Sequence, residues 1–244
     1  MSSGFYAAYS GLLARTEALD AAASNLSNAS TRGFRAEREF FRGAVMGPDA
    51  LGSQLNRTVN DFGILAGNVL NLSQGALAPT GNPFDLALQG QGFFAVQTEN
   101  GIRYTRSGQF QRSSAGVLMT ADGHPVLNVK NQPITLPVGE FVVSSDGEVS
   151  VDGAVVTTLG LWNFAAPEDL NPEGTSLYAP AGKAKPVAAK PEVRQGALEG
   201  SNQDVIEGTL QLILVQRQAE MMQKALTVFD GNLDKTASEV LPKV

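Results

Sequence analysis

Apolar residues recur at alternating spacings of four and three at both ends of the chain, while the middle is a glycine-punctuated series of short strand-like runs. The N-terminal stripe is Phe5, Tyr9, Leu12, Thr16, Leu19, Ala23 and Leu26; the C-terminal one is Val205, Gly208, Leu212, Val215, Ala219, Met222, Leu226, Phe229 and Leu233. A repeat near 3.5 residues places a narrow seam along a helix, the geometry through which coiled-coil partners interlock. The spacing therefore predicts a helix from Phe5 to Leu26, about 33 Å long, and another from Val205 to Leu233, about 43 Å long. Asp204 is placed to cap the second helix, with Glu207 three positions on to complete a capping box. Chain ends are usually the least ordered part of a domain, so packing faces concentrated there point to partners.

Between the helices, the cluster from Ser27 to Phe34 stops the first one with small turn formers, and Arg35 to Val45 reads equally as a second short helix or an extended arm. Runs such as Gly92 to Gln97, Arg103 to Arg106, Pro125 to Val129, Glu148 to Val151 and Val155 to Phe164 are each bounded by Gly, Asn, Asp or Pro. Asn100-Gly101, Asp122-Gly123, Asp146-Gly147 and Asp152-Gly153 are hairpin dipeptides. Prolines 167, 172, 180, 186 and 191 favour loops and edge strands over a further helix. The expected fold is α+β, with N- and C-terminal long helices forming a coiled-coil-like layer and a central antiparallel β-rich domain. The corresponding divisions are an N-terminal helix and arm at 1–45, an extended linker at 46–80, a β-rich middle domain at 81–200, and a C-terminal helix at 201–244 packing with the first.

Composition narrows the function. The 244 residues carry a formal charge of −6 with an isoelectric point near 4.9, a balance that argues against nucleic acid, whose binding rests on cationic neutralisation of phosphates. No apolar run of about 18 residues is present, and the N-terminus lacks the features of a cleaved secretory signal. Cysteine is absent and histidine occurs once, as His124 in an Asp-Gly-His-Pro turn. Neither a multi-histidine metal site nor a Ser-His-Asp triad follows from that. Gly90-Gln91-Gly92 lacks the third glycine and following helix of a nucleotide loop. No catalytic residue, cofactor, metal or small-molecule substrate is expected. Trp162 and Tyr178 are the aromatic candidates for a competing reading, a β-rich adhesin or glycan-binding module.

Five blocks carry a family resemblance: Ala22 to Ala36 (AASNLSNASTRGFRA), Thr80 to Phe94 (TGNPFDLALQGQGFF), Tyr104 to Phe110 (YTRSGQF), Gly196 to Asn202 (GALEGSN) and Gln216 to Met221 (QRQAEM). In this order they resemble the signature blocks of flagellar rod and hook axial proteins. Within that family the short chain and compact β middle look most like proximal-rod members, with distal-rod members next and hook members, with their larger inserted domains, further off. The resemblance implies a structural subunit of the basal-body rod. It would leave the cytoplasm through the flagellar export apparatus without a cleaved signal and assemble helically with its own copies and other rod and hook proteins in the periplasm, where the rod transmits torque. The candidate assembly residues are Phe5, Tyr9, Leu12, Leu19, Asn25, Leu26, Asn28, Gly33 and Phe34 near the N-terminus, and Leu212, Val215, Ala219, Met222, Leu226, Phe229 and Leu233 near the C-terminus. Limited proteolysis is expected to trim both ends early in the free monomer and to spare them in the polymer.

Overall fold

The computed structural model describes residues 2–42 and 64–240. Helix α1 spans Ser2–Ser27 and helix α2 spans Val205–Val240; strands dominate what lies between. The chain divides into two compact units, one made of Met1–Leu26, Glu37–Val69 and Val205–Val244 and the other of Ser27–Ala36 and Leu70–Asp204.

The second unit is a β body. Its largest sheet is antiparallel and six-stranded, in the order β13 (Leu170–Glu173), β14 (Leu177–Pro180), β6 (Gly101–Thr105), β5 (Phe93–Thr98), β12 (Leu161–Asn163) and β15 (Val187–Ala188). A three-stranded sheet runs β11 (Ala154–Thr158), β10 (Glu148–Val151), β9 (Phe141–Val143). Paired ribbons complete the body: β16 (Glu192–Gln195) with β4 (Leu86–Gln89), β17 (Ala197–Glu199) with β3 (Leu77–Pro79), and β7 (Phe110–Arg112) with β8 (Leu118–Thr120).

Strand β5 shows why its first four residues, Phe93 to Val96, are apolar without interruption. Side chains alternate across a strand, and here both faces are covered. Phe94 and Val96 enter a core with Leu86, Leu118, Val149 and Leu159, whereas Phe93 and Ala95 enter a second core with Tyr104, Leu127, Phe164 and Tyr178. The predicted turns form where the dipeptides stand. Asn100-Gly101 closes the β5–β6 hairpin, with Gly101 at φ 99°. Asp152 and Gly153 both adopt positive φ between β10 and β11, as a two-residue hairpin turn of this hand requires. The run from Val155 to Phe164 is two strands, interrupted at Leu159-Gly160, where Gly160 abuts the Leu127 and Asn128 carbonyls. Pro125 to Val129 forms isolated bridges instead of a named strand.

In the first unit, the residues after Ala36 form strand β1 (Glu37–Arg42), which pairs with β2 (Ile64–Leu70); the part of the predicted arm beyond residue 42 and of the predicted linker before residue 64 lies outside the described residues. The expected coiled-coil-like layer of N- and C-terminal long helices is not what the chain builds. The described residues hold two α-helices and a large β-rich body, and the buried face of α1 runs through Ala14, Ala18, Ala21, Ala22 and Asn25, not through the leucine stripe. Leu12, Leu19 and Leu26 are only half-buried, and Tyr9 is exposed. Knobs-into-holes packing needs large side chains along the buried seam, and an alanine face supplies none. Gly11 lies against the terminal methyl of Met222, a close approach of backbone to side chain in place of interlocking leucines.

Two substitutions test the architecture. Gly108→Ala places a methyl on the Leu86 carbonyl oxygen and is expected to cost about 3 kcal/mol or more. Gly153→Ala has open space around it and meets only its positive φ, about 1–2 kcal/mol. Urea unfolding of both variants measures the difference.

Candidate assembly site

Four of the five sequence blocks converge on one buried carboxylate. Glu199, in β17, has a fully buried side chain and receives the Arg35 guanidinium at 2.6 Å on Oε1 and the Arg106 guanidinium at 3.1 Å on Oε2. The Gly75 amide also donates to Oε1, at 2.9 Å. Arg106, just past β6, donates as well to the carbonyls of Leu88 and Gly90 and lies over the Phe93 ring at 5.4 Å. Arg35 thus comes from the STRGFRA block, Arg106 from YTRSG, Glu199 from GALEG, and the receiving carbonyls from DLALQG.

The backbone around this cluster is equally constrained. Gly33 has φ 67°, and a Cβ there would overlap the Ser107 amide and the Arg106 carbonyl carbon; only glycine fits a left-handed conformation at such close range. Its amide donates to the Glu199 carbonyl at 2.9 Å. The Arg35 amide donates to the Tyr178 hydroxyl at 2.9 Å, and the Ala36 amide to Asn202 Oδ1 at 2.7 Å. Asn202, from the same block as Glu199, in turn donates from its side-chain amide to the carbonyls of Asn71 and Ser73.

Two cations on one carboxylate leave a net positive charge away from water. Burial pulls the Arg106 guanidinium down to about 10, with Glu199 opposing that shift and Arg35 adding to it. Arg35 Nε and Nη1 and Arg106 Nε have no acceptor among the described residues. The Phe93 face and the two carbonyls supply part of the missing negative charge. Such a cluster specifies one arrangement more than it adds stability, because desolvation offsets much of the Coulombic gain.

The N-terminal candidates divide between the two units. Asn25 is buried and holds Glu37 on both backbone groups, accepting from its amide at 2.8 Å and donating to its carbonyl at 2.7 Å. Asn28 accepts from the Thr31 hydroxyl at 3.1 Å and shapes the turn after α1. Gly33 and Phe34 are buried in the β body. On α2, Val215 is buried and Leu212, Ala219, Met222 and Leu226 are half-buried; the side chains of Phe5, Phe229 and Leu233 lie outside the described residues.

The stripe analysis missed a second apolar surface. Ile206, Leu210, Leu214, Met221 and Val228 on α2 are all more than half exposed, and their spacings of four and seven place them along the helix. The signal was present in the sequence, but these residues fall between the positions of the seam. Of the glycan candidates, Tyr178 is buried with its hydroxyl occupied by Arg35, and Trp162 packs partly buried against the second core. Tyr178 therefore presents no free aromatic platform. His124 serves its turn, its amide bonded to the Thr120 hydroxyl. Among the described residues, no cluster of His, Cys, Asp or Glu is placed to hold a metal, and no helix is long and apolar enough to cross a membrane.

Among the described residues, the residues of the sequence blocks are largely buried and apolar positions on α2 are exposed. Comparison with known proteins agrees in every block. Residues 5–35 match the model described as flagella basal body rod protein, residues 87–151 the flagellar hook protein FlgE/F/G D1 domain, and residues 194–239 the flagellar basal body rod FlgEFG protein C-terminal. The chain is 35% identical to the flagellar basal-body rod protein FlgF of Mesorhizobium japonicum over 90% of each chain, and 35% identical to that of Caulobacter vibrioides over the full length of both. It is 30% identical to the flagellar basal-body rod protein FlgG of Bacillus subtilis over 96% of this chain and 98% of that one. The chain belongs to the flagellar rod and hook FlgE/F/G family.

Arg106→Met removes two carbonyl bonds and one of the two cations on Glu199. It is expected to cost about 3 kcal/mol, the scale for breaking a buried ion pair, measured by thermal and urea unfolding.

Proposed function

We propose that this protein is a structural subunit of the flagellar basal-body rod, of the proximal type, delivered by the flagellar export apparatus. The observation that carries this reading is full-length similarity to rod proteins named FlgF together with the exposed apolar positions of α2. Its role is mechanical: subunits add through one repeated, non-closing contact, which generates an open helical array, and the resulting shaft passes torque across the periplasm. The distal rod is the second reading, favoured by the likeness to a FlgG protein of nearly the same length.

Under this proposal the contacts between subunits are made by the terminal segments. Tyr9, Leu12, Leu19 and Leu26 on α1 and Leu212, Ala219, Met222 and Leu226 on α2 are at least partly accessible in the subunit, and Phe5, Val215, Phe229 and Leu233 extend the same stripes. Ile206, Leu214 and Met221 widen the apolar surface of α2. Asn25, Asn28, Gly33 and Phe34 act indirectly by fixing the chain between α1 and the β body. Its partners are further copies of itself and other axial proteins.

Purified basal bodies test the location: the chain is expected in the rod fraction, at the proximal end by labelled-antibody microscopy. Placement at the distal end would select the second reading, and absence from basal bodies would reject both. Aspartate at Leu19, Leu26, Leu212 or Leu226 is expected to abolish rod assembly and swimming while the β body stays folded. Leu214→Asp and Met221→Asp are the cleaner pair. Both side chains are exposed in the monomer, so stability is expected to move by no more than about 0.5 kcal/mol while assembly is lost.

A further inference from the structure

We propose that Glu199 is a shared counter-ion through which the segment before α2 holds the segment after α1, so that residues 27–36 and 197–202 are seated in the β body as a coupled pair. The segment Ser27–Ala36 belongs to the same compact unit as Leu70–Asp204, and its bonds to that unit are concentrated on a few residues. The Arg35 side chain reaches Glu199 Oε1. The Gly33 amide reaches the Glu199 carbonyl, the Ala36 amide reaches Asn202 Oδ1, and the Asn202 amide reaches the Phe34 carbonyl at 3.3 Å. Two further bonds go elsewhere, from the Arg35 amide to Tyr178 and from the Asn71 amide to the Ala36 carbonyl. Even Asn71 is tied back, because Asn202 donates to its carbonyl at 2.7 Å. The N-terminal segment is therefore seated largely on Glu199 and Asn202, at the end of β17 and just after it.

Charge makes the seating mutual. Arg35 and Glu199 both have fully buried side chains, so each needs the other in order to remain out of water. Arg106 cannot substitute, since it carries the same sign as Arg35. When the C-terminal strand lifts away, Arg35 is left facing Arg106 with no carboxylate between them, and the N-terminal segment is driven off. When the N-terminal segment leaves, Glu199 keeps Arg106 but loses its shortest bond. Thermodynamic linkage requires the effect to run both ways. In the sequence, Arg35 follows shortly after the end of α1 at Ser27 and Glu199 shortly precedes the start of α2 at Val205. Glu199 acts here as a positioning residue for the two terminal segments.

Amide hydrogen exchange on the full chain tests the coupling. In Glu199→Gln the Gly33, Arg35 and Ala36 amides are expected to exchange at least about tenfold faster, as a local opening, while Val96 and Tyr104 amides in the β5–β6 hairpin keep their protection. Glu199→Asp, which restores the charge, is expected to recover part of that protection. In Arg35→Met the reciprocal effect is expected at the Gly200 amide, which bonds to the Ala76 carbonyl. Should Glu199→Gln fail to fold, Asn202→Ala removes the Ala36 and Asn71 bonds without touching the buried charges and is expected to loosen the same three amides. Uniform loss of protection across the body, no change at Gly33 to Ala36, no recovery in the aspartate variant or an unaltered Gly200 amide in Arg35→Met would each overturn the proposal.

Discussion

A single carboxylate bridging two guanidiniums in a buried site is the constraint on which the layout of the β body depends. Ionised groups are tolerated in an apolar interior only when paired and hydrogen-bonded, so Arg35, Arg106 and Glu199 must come to one place whatever else the chain does. They reside in three segments far apart in sequence. Their meeting fixes where the turn after α1 lies, where β6 ends, and where β17 runs relative to β3. The neighbouring glycines follow from it. Gly33 must approach the Arg106–Ser107 peptide closely, and Gly75 must offer its amide to Glu199.

Much of the β body was legible because its determinants are local. Asn100-Gly101 and Asp152-Gly153 declare hairpins without reference to the rest of the chain, since the positive φ adopted by Gly101, Asp152 and Gly153 is one these residue types take readily. The double-sided burial of β5 was also readable, from Phe93-Phe94-Ala95-Val96 having no polar alternation. The ion cluster was not. Arg106 and Glu199 appeared as fixed letters in YTRSG and GALEG, yet nothing in one segment announces the charge waiting in another.

The helices show a different limit. Periodicity located both of them, but it favoured the leucines, and the face of α1 that is most buried is the one lined by Ala14, Ala18, Ala21 and Ala22. Alanine carries a helical repeat as well as leucine does, with far less weight in any hydrophobic pattern. Large residues indicate where apolar area is available, not where backbones come close. On α2 the same bias hid Ile206, Leu214 and Met221, which lie outside the seam and remain exposed.

Strand β5 is a party wall between the two cores, with Phe94 and Val96 on one side and Phe93 and Ala95 on the other. Shifting its register by one residue would exchange the tenants of both rooms at once, putting Phe93 where Phe94 belongs and the reverse. Neither core can therefore be remodelled alone. A deletion or insertion in this stretch would strike two hydrophobic interiors in a single event, as a change confined to a loop would not.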